Sequence, residues 1–173
     1  MQCNDTRVLR WMRRLSFVPR WTIVPTIRKQ SVAEHSFQVA AITLVLLGLH
    51  KKGQEGAFRL VVLEKALRHD MSEAATGDEP SPSKEPKDYG SFNQIDITVK
   101  MADLIEAILF VEDERMLGNR AMDLIHEGLF SEATRAWRFF DQKRVVPTSF
   151  PCVLADLMGA TRLSVHPGME KRP

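Results

Sequence analysis

Cysteine is nearly absent from this chain: Cys3 and Cys152 stand alone, in no CxxC or similar cluster. That argues against a cysteine-ligated zinc site and against a disulfide framework, and it fits the cytoplasm, a reducing compartment. Long hydrophobic runs are missing as well. The best candidate, Phe37 to Leu49, is too short to cross a bilayer and carries Gln38. The N-terminal arginines are followed by no apolar core, so no secretory signal is expected. No internal repeat occurs, and no alternation of apolar and polar residues lasts long enough to read as a strand. Acids are scarce at one end: residues 1–30 hold Arg7, Arg10, Arg13, Arg14, Arg20, Arg28 and Lys29 against Asp5 alone. The formal net charge is only +2. Even so, such a basic end favours an anionic partner, a phosphorylated small molecule or nucleic acid. A solvated helix face is the ordinary alternative for the first four arginines.

What is present describes a folded protein. With 173 residues, 44% hydrophobic and 27% charged, the chain suits one domain, residues 1–173, able to bury a core. Val8, Trp11, Met12 and Leu15 predict an amphipathic helix over 5–17. Residues 17–25, with Pro19 and Pro25, predict an extended loop. Ser31-Val32-Ala33-Glu34 is a capping box opening a helix over 32–50, apolar almost all round and expected to be the central buried one. A helix over 57–75 follows, then a proline-rich loop over 78–90. A long helix over 92–117 comes next, two shorter ones over 119–129 and 131–143 joined near Gly128, and a last helix over 152–164 before a frayed tail at 166–173. The fold class is all-α, a helical bundle.

The chemistry concentrates at Leu67-Arg68-His69-Asp70-Met71-Ser72-Glu73. On a continuous helix His69 and Glu73 would share a face, with Asp70 about 100° round from His69. An imidazole and a carboxylate on one turn suit a divalent metal, which can then activate a water, and a second carboxylate follows one turn later. A His-Asp dipeptide alone is weak evidence, because a satisfied core histidine is the commoner fate. His35, in the first turn of the most apolar helix, is open to the same two readings. Asp103 lies in Val99-Lys100-Met101-Ala102-Asp103-Leu104-Ile105, a segment that otherwise looks interior. A buried carboxylate is costly unless paired or metal-bound, and Lys100, one turn away, offers a salt bridge as the alternative.

Taken together, His35, His69-Asp70 and Asp103 form an H…HD…D pattern on three predicted helices, and this resembles the HD-domain metal-dependent phosphohydrolases. The segments Ser31-Val32-Ala33-Glu34-His35-Ser36, His69-Asp70-Met71-Ser72-Glu73, Thr76-Gly77-Asp78-Glu79-Pro80-Ser81-Pro82-Ser83-Lys84 and Val99-Lys100-Met101-Ala102-Asp103 are similar, in order, to those of the bacterial 5′-deoxyribonucleotidases. The resemblance spans roughly residues 18–110. It implies a compact HD-domain bundle in which His35, His69, Asp70 and Asp103 ligate one divalent ion, with Glu73 as general acid/base toward the attacking water. Mixed nitrogen and oxygen ligands do not choose among Zn²⁺, Co²⁺ and Mn²⁺, and Mg²⁺ could accompany the phosphates. Arg20 would grip phosphate oxygens, Trp21 would pack on sugar or base, and Asp78 would accept from a deoxyribose 3′-hydroxyl. For these three a solvated arginine, a core tryptophan and a turn aspartate are the plain alternatives.

Two departures refine the expectation. The interval between Asp70 and Asp103 is shorter than in the bacterial enzymes, and cations accumulate: Lys84 and Lys87 in the loop, and Lys100 beside Asp103. Extra cations suit more charge than a monophosphate carries. A compact HD protein of this kind, with Arg20-Trp21-Thr22-Ile23 ahead of the site and Pro80 after Gly77-Asp78-Glu79, resembles the phage dATP triphosphohydrolases, which remove dATP where 2-aminoadenine replaces adenine in phage DNA. That likeness implies hydrolysis of dATP to deoxyadenosine and triphosphate in the host cytoplasm, with Trp21, Ile23 and Pro80 enclosing the base and Lys84 and Lys100 near the phosphates. It also implies a homo-oligomer, a hexamer in the phage relatives or a dimer in the bacterial ones. The competing readings are a 5′-deoxyribonucleotidase acting on deoxynucleoside monophosphates and, from another class, a nucleic-acid-binding module using the basic N-terminal arm. No membrane association is expected, and nucleic acid is the less favoured partner.

Overall fold

A computed structural model describes residues 5–48, 56–78 and 89–142, together with Asp156. Six helices carry these residues: α1 (Asp5–Arg14), α2 (Val32–Gly48), α3 (Gly56–Arg68), the single turn α4 (Glu73–Thr76), α5 (Gln94–Met116) and α6 (Asp123–Gln142). Short 3₁₀ turns cover Leu15–Phe17, Tyr89–Ser91 and Arg120–Met122. Among the described residues the sole β feature is one isolated antiparallel bridge, Pro19 to Ser31. The all-α expectation holds. The helix expected over 152–164 (Asp156 apart), the tail, Pro80, Lys84 and Lys87 lie outside the described residues.

The capping box forms as its residue types require. Glu34 accepts from the Ser31 amide at 2.7 Å, and the Ser31 hydroxyl accepts from the Glu34 amide at 3.2 Å. The centre of the bundle, however, is α5 rather than α2. Helix α5 packs against α2, α3 and α6, and its side chains are buried on nearly every face. Helix α2 leaves Phe37 69% exposed and Val45 59% exposed. Apolar composition thus overstated the burial of α2, because apolar surface in a small domain exceeds what one core can cover. The core joins Val39, Leu46 and Leu47 of α2, Val62 and Ala66 of α3, Met101, Leu104 and Ile108 of α5, and Ala136 and Phe140 of α6.

Two other boundaries differ from expectation. The helix expected over 57–75 stops at Arg68, and residues 69–72 form tight turns: the amides of Met71, Glu73 and Ala74 bond the carbonyls of Arg68, Asp70 and Met71. The His69 ring explains the stop. Its Nδ1 donates at 2.7 Å to the Ala66 carbonyl, competing for the acceptor a continuing helix would give the Asp70 amide. The helices expected over 119–129 and 131–143 are one, α6, with Gly128 inside it. A single glycine costs a helix about 1 kcal/mol, and the apolar face that α6 buries on α5 outweighs that.

Candidate metal centre and active site

Helix α2 delivers His35 from its first turn, the turn after α3 delivers His69 and Asp70, and α5 delivers Asp103. Their donor atoms gather round His35 Nε2. His35 Nε2 lies 3.2 Å from His69 Nε2, 3.4 Å from Asp70 Oδ2 and 3.3 Å from Asp103 Oδ1. His69 Nε2 lies 3.1 Å from the same Asp70 oxygen. Two donors held about 2.1 Å from one ion, at tetrahedral to octahedral angles, stand roughly 3.0–3.4 Å apart, so the spacings round His35 Nε2 fit a divalent ion. Both rings are aimed from behind: His69 Nδ1 donates to the Ala66 carbonyl, and His35 Nδ1 to Glu106 Oε2 at 2.5 Å. Each Nε2 is therefore the nitrogen presented inward. Of the residues expected as ligands from sequence, His35, His69 and Asp103 form one cluster whose donor atoms all lie within 4.8 Å of one another, and Asp70 joins it through its approach to the two histidines.

The electrostatics agree with that arrangement. Burial of His35 opposes its charged form, but hydrogen bonds to Asp103, Asp70 and Glu106 outweigh this and raise its pKa to about 10. Asp70 and Asp103 are both held low. Desolvation pushes each upward, but the two histidines, and Lys100 beside Asp103, pull harder. Lys100 Nζ lies 3.0 Å from Asp103 Oδ2 and 3.5 Å from Glu132 Oε1. The salt bridge offered above as the alternative for Asp103 is thus present, but it uses Oδ2 and leaves Oδ1 toward His35.

These groups stand at a cavity of about 890 Å³. Its lining includes the polar side chains of His69, Asp70, Glu73, Asp78 and Asp103 and the apolar ones of Ile23, Val24, Leu104, Ala107, Ile125 and Leu129. Glu73 begins α4 rather than continuing α3, so it does not share a helix face with His69; its buried side chain still reaches the cavity. Arg20 and Trp21 line the same space. Trp21 has φ 61°, in the left-handed region, a conformation costing about 1–3 kcal/mol that surrounding contacts must hold. Its amide donates to Asp78 Oδ2 at 3.1 Å, its Nε1 to Gln30 Oε1 at 3.1 Å, and its ring stacks on Phe110 at 5.2 Å. Arg20 donates to Glu106 Oε2 at 3.1 Å.

Sequence reasoning missed Glu106, Gln30 and Glu114. Glu106, 1% exposed, accepts from His35, Arg20 and Gln30 Nε2. Glu114, fully buried, accepts from the amides of Ile27 and Arg28 at 2.7 and 2.6 Å and from Asn119 Nδ2 at 2.8 Å. The signal was available: both acids lie in the interior register of α5, and the cost that singled out Asp103 applies equally to them.

Bundle and donor set together define a protein of the HD-domain phosphohydrolase fold. The HD phosphohydrolase DatZ of cyanophage S-2L, solved with dA and one catalytic Zn²⁺ ion, superposes with a TM-score of 0.64 at 24% identity over 95% of this chain and 98% of that one. An HD-domain phosphohydrolase of Listeria innocua, lin2634, superposes with a TM-score of 0.68 at 18% identity over 89% of each. In sequence, the 5′-deoxynucleotidase KPN78578_26370 of Klebsiella pneumoniae is 38% identical over 76 residues, 42% of this chain but only 37% of that protein. The family model for 5′-deoxynucleotidase YfbR-like proteins matches residues 7–95, just over half of the chain. This chain belongs to the YfbR-like family.

Proposed function

We propose that this protein is a metal-dependent phosphohydrolase that releases a deoxynucleoside from a deoxynucleotide, with dATP, cleaved to deoxyadenosine and triphosphate, as its preferred substrate. The observation carrying the reading is the cluster of His35, His69 and Asp103 donor atoms, with Asp70 against both histidines, at a nucleotide-sized cavity. His35, His69, Asp70 and Asp103 would hold the ion. Zn²⁺, Co²⁺ or Mn²⁺ bound there would polarise a phosphoryl oxygen and acidify a water. Glu73 would accept the proton of the attacking water, and Arg20 and Lys100 would bind phosphate oxygens. Asp78 would receive the sugar hydroxyl, since one bond from the Trp21 amide leaves a carboxylate further acceptor positions. Six carboxylates and four Lys or Arg side chains line the cavity; a divalent ion brings this balance toward neutrality before an anionic substrate enters.

Support for dATP comes from the fold neighbour solved with dA, which matches nearly the whole chain, and from Trp21 and Ile23 beside the cavity. Such an activity in a phage-infected cell would lower dATP where 2-aminoadenine is incorporated instead. The second reading, a 5′-deoxynucleotidase acting on monophosphates, is favoured by the family model and by the names of the curated relatives. Incubating the protein with a panel of dNTPs and dNMPs plus Co²⁺, Mn²⁺ or Zn²⁺ separates the two. Triphosphate released from dATP supports the first, and orthophosphate from dAMP alone supports the second. Chelation, or Asp103→Ala, is expected to bring turnover to the detection floor; turnover surviving both would overturn the reading.

A further inference from the structure

Glu106 lies three residues beyond Asp103 on α5 and touches both the metal centre and the arginine facing the substrate. Its Oε2 accepts from His35 Nδ1 at 2.5 Å and from Arg20 Nη1 at 3.1 Å, and its Oε1 accepts from Gln30 Nε2 at 2.6 Å. Gln30 is committed on its other side, where Oε1 accepts from Trp21 Nε1 at 3.1 Å and from Arg20 at 3.4 Å. Three donors thus converge on one buried carboxylate, and Gln30 extends the network to the indole at the cavity wall.

We propose that Glu106 is a positioning residue that sets the metal-binding face of His35 and the guanidinium of Arg20 relative to one another through a shared carboxylate oxygen. The inference rests on the metal-dependent phosphohydrolase reading above. A carboxylate behind a ligating histidine orients the ring and strengthens its inward nitrogen as a donor to metal. The same oxygen holds Arg20 in place, so displacing that oxygen moves both donors. Ion and phosphate grip are then fixed at one separation, and errors near 1 Å in such a separation are costly to rate.

No other side chain of this shape serves. A glutamine offers one oxygen and one NH₂, and all three neighbours of Glu106 present donors. With its NH₂ toward His35 and Arg20, donors face donors. With its NH₂ toward Gln30, the Gln30 amide must flip, and its bond from Trp21 Nε1 is lost. Glu106→Gln therefore damages metal binding or substrate placement in either orientation.

The test titrates Zn²⁺ or Co²⁺ calorimetrically into the chelator-stripped full chain, wild type against Glu106→Gln, Glu106→Asp and Glu114→Gln. KM and kcat for dATP and dAMP are then measured at saturating ion. Glu106→Gln is expected to weaken ion binding about 10–100-fold and to raise KM even when the ion saturates. Glu106→Asp, which keeps the charge one methylene short, should fall between Glu106→Gln and wild type. Glu114→Gln removes an equally buried acid of the same helix and should leave ion affinity unchanged. A folded Glu106→Gln protein with wild-type ion affinity overturns the proposal, and so does a loss of equal size in Glu114→Gln, which would mark general loosening. Should Glu106→Gln fail to fold, the aspartate variant decides by the same affinity. If wild-type protein binds no ion, both readings fail. If it binds the ion but hydrolyses neither nucleotide, only the substrate reading fails, and ion affinity alone decides this one.

Discussion

His35 is the side chain in which the chemistry of the site is most concentrated. Without an ion, its ring is charged at neutral pH, because three carboxylates surround it and raise its pKa to about 10. A metal ligand must be neutral, so ion uptake near pH 7 is expected to expel about one proton. Calorimetric titrations in buffers of different ionisation enthalpy measure that number directly. The sign of the stability effect follows from the same shift. A raised histidine pKa stabilises the ion-free fold fully below pH about 6.5, and the benefit is lost as pH climbs toward 10. The depressed carboxyls of Asp70 and Asp103 act in the other direction: their contribution is full above about pH 4 and fades in acid. The ion-free protein should therefore lose several degrees of melting temperature between pH 6.5 and 9. Ion-saturated protein should not, because deprotonated ligands bind metal better. Parallel melting curves in chelator and in Mn²⁺ test this, and identical slopes would count against the metal assignment.

At the scale of elements, α5 carries both Asp103, the candidate metal carboxylate, and the supports of the loop that holds Arg20 and Trp21. Glu106 holds that loop at Arg20 and Gln30, and Glu114, two turns further on, holds it at Ile27 and Arg28. Burial alone would raise the pKa of Glu114, but the bonds from Asn119, Ile27 and Arg28 outweigh that and keep it low. Replacing Glu114 with glutamine leaves a buried NH₂ facing at least one donor, the Arg28 amide when the oxygen stays with Ile27 and Asn119, at a cost of about 1–3 kcal/mol, read from urea unfolding. Faster proteolysis within residues 19–30 should accompany it. Helix α6 offers the opposite case. Gly128 lines the cavity, and a Cβ built there meets nothing within 4 Å. Gly128→Ala is accordingly expected to stabilise the protein by about 0.5–1 kcal/mol, with folding intact and the cavity only slightly narrowed.

For the molecule as a whole, stability and chemistry occupy different parts of one bundle. Phe140 of α6 is fully buried in the core shared with α2, α3 and α5, and it does not line the cavity. Phe140→Ala should cost roughly 3–5 kcal/mol in denaturant unfolding while the ion affinity of the remaining folded protein stays at the wild-type value. Asp103→Ala should do the reverse, abolishing ion binding without a comparable loss of fold. No helix among the described residues is long and apolar enough to cross a membrane.

Much of this was open to reading in the chain alone. Helical period, the Ser31–Glu34 capping box and the order H…HD…D are local patterns, and local patterns determine which residues are helical and which side chains suit a metal. What they cannot convey is depth and partnership. Whether α2 or α5 is central depends on how many neighbours each finds, and α3 ends at Arg68 because the His69 ring competes for a backbone carbonyl. The role of Glu106 exists only where α2, α5 and the Arg20 loop meet, since His35 and Arg20 lie 71 and 86 residues from it along the chain. The candidate ligands were thus legible in residue type and spacing. The orientation of those ligands was decided by long-range packing, because a buried carboxylate takes its meaning from the donors that tertiary folding brings to it.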